Sequence, residues 1–318
     1  MFTLSYTKST TLLDTLTRID ALRTAILTTP LIIQTEQRLV FRSMIQSIYN
    51  SLSLSDVPMT NTEIFSILTK PKEDTSPTCI CVLAYRNALW WISKHWMGNT
   101  RHLSTGDLQV LATIALTKSS HIDRYFSQNT PVIDELTAYL STVHDHPVIH
   151  AGLLHAYFLF HPVSATDNGK FARIASTLIL SKYGYTLRGI ATHMIETDDK
   201  RAYSFAQSTI PKYGQYTQWL EYIARTVEKT YIQIQASIAK ELRSSATLDR
   251  IDRATQLSKR EEDIVTQFSL PTDKITNRQI QHRFHISSIT ASRHLKKLST
   301  IGFLCPHGKG RSVYYTKI

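Results

Sequence analysis

Cysteine is scarce in this 318-residue chain, and the three thiols, Cys79, Cys81 and Cys305, form no C-x-x-C pair. This number and spacing argue against a disulfide framework and indicate free thiols in a reducing compartment. Membrane-spanning runs are missing as well, because the apolar stretch 147–160 is short and interrupted by histidines. No basic stretch precedes an apolar run near the start of the chain. We therefore expect a soluble, cytoplasmic protein without a signal peptide or a transmembrane segment.

Acidic residues are absent from the last part of the chain. Residues 274–318 contain nine Lys or Arg and no Asp or Glu, so this segment carries +9 of the net charge of +11. The rest of the chain is nearly balanced, with 27 basic and 25 acidic residues. A local excess of this kind is typical of a surface that contacts a phosphate backbone. The length suits two domains, and the apolar content suffices for a sizeable core.

The basic segment has the pattern of a winged helix-turn-helix. Residues 277–284 predict a short helix, and residues 288–300 predict a second helix with Ile289, Leu295 and Leu298 on its apolar face. Residues 303–305 and 313–315 predict two paired strands, the wing, joined by the turn-forming residues 306–310.

Polar and basic residues on the second helix and the wing are those that would read double-stranded DNA. The predicted DNA-binding residues are Ser288, Thr290, Arg293, Lys296, Lys297, Lys309 and Arg311. A domain that contacts only other proteins is the alternative, because basic faces are often merely solvated. The pattern favours DNA binding, and with it a DNA-associated location.

Residues 161–173 concentrate the chemistry of the larger part of the chain. They read His-Pro-Val-Ser-Ala-Thr-Asp-Asn-Gly-Lys-Phe-Ala-Arg between two apolar runs. Asp167 or Asn168 would cap the following helix, whose first N–H groups and dipole would bind an anion. Lys170 and Arg173 are three residues apart and share a helix face that reaches this anion. Histidine is the side chain best suited to act as a base near neutral pH, so His161 and the segment around it predict phosphoryl chemistry.

At these residues the chain resembles the Fic (Fido-domain) family, whose loop reads His-Pro-Phe-x-Asp/Glu-Gly-Asn-Gly-Arg-x-x-Arg. The agreeing positions are His161, Pro162, Asn168, Gly169 and Arg173.

The loop departs from the family pattern in four ways. Lys170 replaces an Arg, Val163 replaces the Phe, Asp167 stands where a Gly is usual, and one extra residue follows His161. Ala165 occupies the position at which the family keeps its magnesium-binding carboxylate. The resemblance therefore leaves Asp167 as the candidate ligand for Mg²⁺.

The resemblance covers about residues 40–235, because residues 85–89 are similar to an early Fic helix and residues 178–185 and 215–222 to later ones. It implies an all-helical Fic core that transfers AMP from ATP to a hydroxyl side chain of a target protein. It implies His161 as the base. The implied nucleotide-binding residues are Asn168, Gly169, Lys170 and Arg173.

Two further devices of the family are altered in this sequence. The substrate-docking hairpin that precedes the loop has only residues 117–130 available to it. The inhibitory helix, whose Glu pairs with the second loop Arg, should lie near residues 46–51, but no Glu occurs between Phe41 and Thr62. We therefore expect Arg173 to lack this blocking partner.

The predicted domains are an N-terminal helical region (1–75), the Fic core (76–235), a helical connector (236–265) and a winged helix-turn-helix (266–318). The fold is expected to be mainly α, with a small α+β domain at the end.

The predicted function is protein adenylyl transfer with ATP, a protein substrate associated with DNA and a homodimer as a further partner. A DNA-binding regulator with an inactive Fic core is the alternative. A metal site at His146 and His150, four residues apart, is a third reading, against histidines that only hydrogen-bond beside a buried helix.

Overall fold

The computed structural model describes residues 4–31, 33–69, 76–116, 121–165, 169–190, 199–243, 257–267, 274–301, 303–308 and 313–317. Helices dominate these ranges, and strands occur only in the last three of them, so the fold is mainly α as expected. No described helix is long and apolar enough to cross a membrane.

The larger, N-terminal part contains ten helices in its described residues: α1 (Thr10–Thr28), α2 (Ile33–Leu54), α3 (Asn61–Thr69), α4 (Pro77–Trp96), α5 (Thr105–Ala115), α6 (Ile122–Thr142), α7 (Pro147–Phe160), α8 (Lys170–Lys182), α9 (Lys200–Tyr213) and α10 (Thr217–Arg243). The smaller part contains α11 (Lys259–Thr266), β1 (Ile275–Thr276), α12 (Asn277–Phe284), α13 (Ser288–Thr300), β2 (Leu304–His307) and β3 (Tyr314–Lys317).

Helix α7 is the centre of the larger part. It begins at Pro147, preceded by His146, whose ring accepts the N–H of Val148 as an N-cap, and it is buried along nearly its whole length. An apolar helix of this kind needs neighbours on every side, and α8 and α10 pack along it. Gly152 allows α10 to come close, because a Cβ there would lie 2.7 Å from Leu220 Cδ2. The C-terminal end of α7 and the start of α8 thereby meet at one loop.

The first and last helices of the larger part, α1 and α10, pack against each other. Helix α2 contacts α4, α8 and α10. The predicted boundary at residues 235 and 236 lies inside α10, which continues to Arg243. The segment 244–256 of the predicted connector lies outside the described residues.

The smaller part is an α+β domain with a three-stranded antiparallel sheet in the order β1-β3-β2. Helices α12 and α13 begin and end where the sequence predicts them, and β2 and β3 pair as expected. Pro306 and His307 belong to β2 rather than to the turn. The apolar face of α13 is only partly as predicted: Leu295 and Leu298 are buried, whereas Ile289 is 83% exposed.

The segment expected to supply a docking hairpin is helical instead. Residues 122–130 form the first turns of α6, and residues 117–120 lie outside the described residues. Asp123 in the first turn of α6 and the buried Ile122 and Phe126 suit this helix start. The described part of this segment therefore contains no hairpin.

Candidate functional site

The loop between α7 and α8 begins at His161, the C-cap of α7, and ends at Gly169, the N-cap of α8. Gly169 has a φ of 73°, which favours glycine, and a Cβ there would lie 3.0 Å from both Arg173 Nη1 and Leu159 Cδ1. The expected cap by Asp167 or Asn168 is therefore wrong, because the cap residue has no side chain. Glycine thus allows Arg173 and Leu159 to pack closely against the start of α8.

His161 is oriented by its own helix. Its Nδ1 lies 3.0 Å from the carbonyl oxygen of Tyr157, which only accepts, so Nδ1 carries the proton and Nε2 has the lone pair. The imidazole stacks on the Tyr157 ring at 4.7 Å between ring centroids. The hydroxyl of Tyr125 donates to the His161 carbonyl at 2.7 Å. His161 is exposed, so its Nε2 is a nitrogen that could accept a proton from an approaching group.

Arg173 is held by α2. Its side chain is 3% exposed; Nε donates to Ser51 Oγ at 3.0 Å, and Nη2 donates to the Ser51 carbonyl at 2.9 Å and to Ser55 Oγ at 2.6 Å. Ser51 of this helix, rather than a Glu, therefore contacts Arg173. Two hydroxyls and a carbonyl replace the carboxylate, because a buried guanidinium needs acceptors whether or not they are charged.

Tyr85 of α4 adds to the surroundings of Arg173. Burial raises the pKa of the Tyr85 hydroxyl, while a hydrogen bond from Ser51 and the positive charge of Arg173 act in the opposite direction. The guanidinium lies close to Gly169, because a Cβ on that residue would be 3.0 Å from Arg173 Nη1.

The other predicted nucleotide-binding residues fall into two groups. Lys170 is half-buried in the first turn of α8. Asn168 and Asp167, the candidate metal ligand, lie outside the described residues. Ala165 is exposed and offers no ligand atom, and no group of three His, Cys, Asp or Glu residues within the described ranges would hold a metal ion. The described donor set does not fit Mg²⁺.

Two buried aromatic residues, Tyr203 and Trp219, contact His155 of α7 near the loop. Residue patterns alone did not indicate these contacts. His155 Nε2 lies 3.0 Å from the hydroxyl of Tyr203, and that hydroxyl would be 3.7 Å from a Cβ on Gly169. Trp219 packs edge-on against His155 and donates to the Gly152 carbonyl at 2.8 Å. Trp219 belongs to the segment 215–222, which resembles a Fic helix, and this was the available signal.

The two histidines considered for a metal do not converge on one point. His146 is the N-cap of α7, and its Nε2 lies 3.3 Å from Asp20 Oδ1 and 3.2 Å from the Tyr185 hydroxyl. His150 is 2% exposed inside the core, and burial lowers the pKa of its imidazole to about 4.

The predicted DNA-binding residues of α13 lie on two different faces. Ser288, Arg293 and Lys296 are exposed, and Thr290 contacts the helix cap Ser287. Lys297 instead donates to Glu261 of α11 at 2.8 Å.

The α11 contact that holds Lys297 also holds a second side chain of α13. His294 Nδ1 lies 2.9 Å from Glu261 Oε1. Lys297 is therefore partly used to anchor the helix, which leaves Arg293 and Lys296 as the exposed cations of α13. Lys309 and Arg311 lie outside the described residues.

Compared by sequence, the chain matches no protein-family model and no curated protein. Its structure is similar to a Fic family protein from Desulfovibrio desulfuricans G20, with a TM-score of 0.59, 13% identity and alignment of 100% of this chain with 98% of that one. It is also similar to Fic-1 (aa134 - 508) from C. elegans, with a TM-score of 0.58, 13% identity and coverage of 70% and 71%.

A Fic domain containing signaling protein from Bacteroides thetaiotaomicron VPI-5482 aligns with 71% of this chain and 98% of its own, at a TM-score of 0.56 and 16% identity. The alignment with the Desulfovibrio protein spans both the helical part and the smaller domain. Three proteins of this kind, together with the loop between α7 and α8, lead to one conclusion: the chain has the Fic (Fido) fold.

Proposed function

We propose that the protein is an adenylyltransferase that moves AMP from ATP to a hydroxyl side chain of a protein. The observation that carries the proposal is the exposed His161, whose Nδ1–H is bonded to the Tyr157 carbonyl so that the lone pair is on Nε2. In the proposed reaction, Nε2 takes the proton of the target hydroxyl while its oxygen attacks the α-phosphorus. The bond to the β-phosphate breaks, and pyrophosphate leaves.

The start of α8 suits the phosphates of ATP. The first N–H groups of α8 would bind an anion, Lys170 adds a charge at the same turn, and Arg173 contributes positive potential from next to Gly169. Because the Arg173 guanidinium already donates to Ser51 and Ser55, its role in this proposal is electrostatic unless α2 releases it.

Labelled ATP tests the transfer. The full chain is incubated with magnesium, a protein extract and ATP labelled at the α- or the γ-phosphate, with and without duplex DNA. We expect label from the α-position only, and its loss in His161→Ala. His102→Ala, which removes an exposed histidine elsewhere, is the matched control. Transfer by His161→Ala at the wild-type rate, or no transfer by the wild type, would overturn the proposal.

A second candidate is a DNA-binding regulator whose Fic core does not catalyse transfer. Ala165, which offers no carboxylate, and the engagement of Arg173 by α2 favour it. The same labelling experiment separates the two, because the regulator would bind DNA and transfer no label.

DNA binding by the smaller domain is part of both proposals. Its support is the charge of +9 in residues 274–318 and the exposure of Arg293 and Lys296 on α13. If both contact phosphates, replacing them with Ala lowers the salt slope of duplex binding by about two. Lys200→Ala with Lys212→Ala removes two exposed cations of α9 and should leave the slope unchanged. An unchanged slope in the α13 variant would reject this surface.

Binding to DNA would concentrate the enzyme there, which makes DNA-associated proteins the proposed class of substrate. A bound enzyme meets DNA-associated proteins at a raised effective concentration. The Arg293 and Lys296 double variant should therefore still label a free peptide but lose its preference for DNA-bound proteins. A preference that survives the loss of DNA binding would refute this substrate class.

A further inference from the structure

A cavity of about 270 Å³ lies between the helical part and the smaller domain. One side is formed by the start of α2 and the turn before residue 190, and the other by Val265 of α11 and Phe303 before β2. A smaller cavity of about 60 Å³ adjoins it and shares Val40, Ser93 and Gly189 as wall residues. The combined space approaches the size of sites that bind small molecules.

Gln37 of α2 lines the larger cavity and is 3% exposed. Neither its Oε1 nor its Nε2 has a hydrogen-bond partner among the described residues. The indole Nε1 of Trp90, in the wall of the adjoining cavity, is also buried without a partner there. Buried amides and indoles are nearly always hydrogen-bonded in proteins, because leaving them unpaired destabilises the fold. These groups therefore indicate a missing partner.

The charges beside the cavity are already paired. Arg188 donates to the Thr29 carbonyl at 2.8 Å and lies 3.4 Å from Glu36. The remaining polar groups of the wall, Gln37 and Ser93, are neutral, and most other wall residues are apolar. An ion would enter such a space only at a high desolvation cost, whereas an uncharged ring would not.

We propose that this cavity binds a small, uncharged, planar molecule with an amide or lactam edge. Such an edge places one N–H donor beside one carbonyl acceptor, which complements the acceptor and donor of the Gln37 side chain. Because its walls come from both parts of the chain, an occupied cavity stabilises their contact. The site is separate from His161, and its existence does not depend on nucleotide transfer.

Calorimetry on the full chain tests the site, with benzamide as the probe. We expect a dissociation constant of about 1 mM or tighter for this small ligand. N,N-dimethylbenzamide, which has no N–H, should bind at least about tenfold more weakly. Hydrogen exchange should slow on benzamide binding in both α2 and α11, since both contribute walls.

Gln37→Leu should weaken benzamide binding at least about tenfold, yet melt at the same or a higher temperature, because an unpaired buried amide is removed. Gln218→Leu, an exposed glutamine on α10, is the matched control and should bind normally. Ser93→Leu, which narrows the cavity from α4, provides a second variant if Gln37→Leu does not fold. Absence of benzamide binding, or equal binding by wild type, Gln37→Leu and Ser93→Leu, would overturn the proposal.

Discussion

His161 and Arg173 lie at opposite ends of one functional segment and are held in different ways. The imidazole is exposed and oriented through a single backbone carbonyl and a stacked ring. The guanidinium is buried and bound through three hydrogen bonds to α2. A base needs access to solvent and substrate, whereas a buried cation needs every available acceptor. Substitutions at the two residues should therefore have separable effects.

Arg173→Ala should lower the free energy of unfolding by about 3 kcal/mol, because it leaves Ser51 and Ser55 without their donor and opens a cavity beside Gly169. Lys170→Ala should change it by less than about 0.5 kcal/mol, since its side chain is partly exposed. Urea unfolding of both variants measures the difference. Equal effects would show that the guanidinium is not a structural anchor.

Ile289 is a second residue whose surroundings suggest a test. It is 83% exposed in the first turn of α13, where a large apolar side chain has no intramolecular use. In the orientation proposed here, α13 enters the major groove of the bound DNA, where this side chain suits the methyl group of thymine. Ile289→Ala should then reduce discrimination between a selected duplex and its deoxyuridine analogue by about 1 kcal/mol.

Competition binding measures that loss. The matched control is Val110→Ala, which removes another exposed apolar side chain, on α5. A variant at Ile289 that keeps full discrimination would contradict the proposed orientation of α13.

Helix α11 contacts α13 through one buried carboxylate, that of Glu261, which binds His294 and Lys297. Burial alone would raise the pKa of Glu261, but hydrogen bonds from Lys297, from the Ser258 backbone and from His294 outweigh it and lower the pKa below its ordinary value of 4.5. A carboxyl group whose pKa is lower in the folded than in the unfolded state stabilises the folded state at pH values above its unfolded pKa. This stabilisation is lost as the pH falls through the folded pKa.

Glu261→Gln should therefore destabilise the smaller domain by about 2 kcal/mol at neutral pH and by much less at a pH below the lowered pKa of Glu261, where the wild-type carboxylate is itself protonated. Hydrogen exchange of α13 measures the effect across this range. Glu262→Gln, the neighbouring carboxyl without these partners, should behave like the wild type. A loss that is equally large at both pH values would show that the ionised carboxylate is not the stabilising group.

At the scale of the whole molecule, the smaller domain contacts the helical part through both a polar and an apolar contact. Lys94 Nζ of α4 lies 2.7 Å from His307 Nδ1 of β2, and Ile301 lines a cavity with Val40 of α2.

Stability of the helical part depends on buried groups around α7, among them His150. Burial outweighs the attraction of Asp145 and lowers the pKa of this imidazole to about 4.

Acid should therefore destabilise the chain before its carboxylates are protonated. With an unfolded imidazole pKa of 6.5 and a folded pKa of about 4, stability is complete above pH 6.5 and falls as the pH is lowered toward 4. The loss attributable to His150 is about 3 kcal/mol. His150→Leu should flatten this pH dependence in chemical unfolding, whereas the exposed His102→Leu should not. A slope that is unchanged in His150→Leu would assign it to other groups.

Local sequence determined the elements of this protein and the identity of its loop. Caps, apolar spacing and turn residues act within a few positions, so the bounds of α12 and α13 and the pairing of β2 with β3 were predictable. The pattern around His161 was sufficient to indicate a Fic core, and the acid-free last segment was sufficient to indicate a basic domain.

Only the tertiary structure determined which residues far apart in the sequence contact each other. Ser51 and Ser55 are more than a hundred residues from Arg173, and Glu261 is more than thirty from Lys297, so no spacing rule connects them. Their contacts arise because packing of α2 on α8, and of α11 on α13, leaves buried cations that must find acceptors. The same packing leaves Ile289 exposed and Gln37 buried beside a cavity, because burial depends on which helix faces meet.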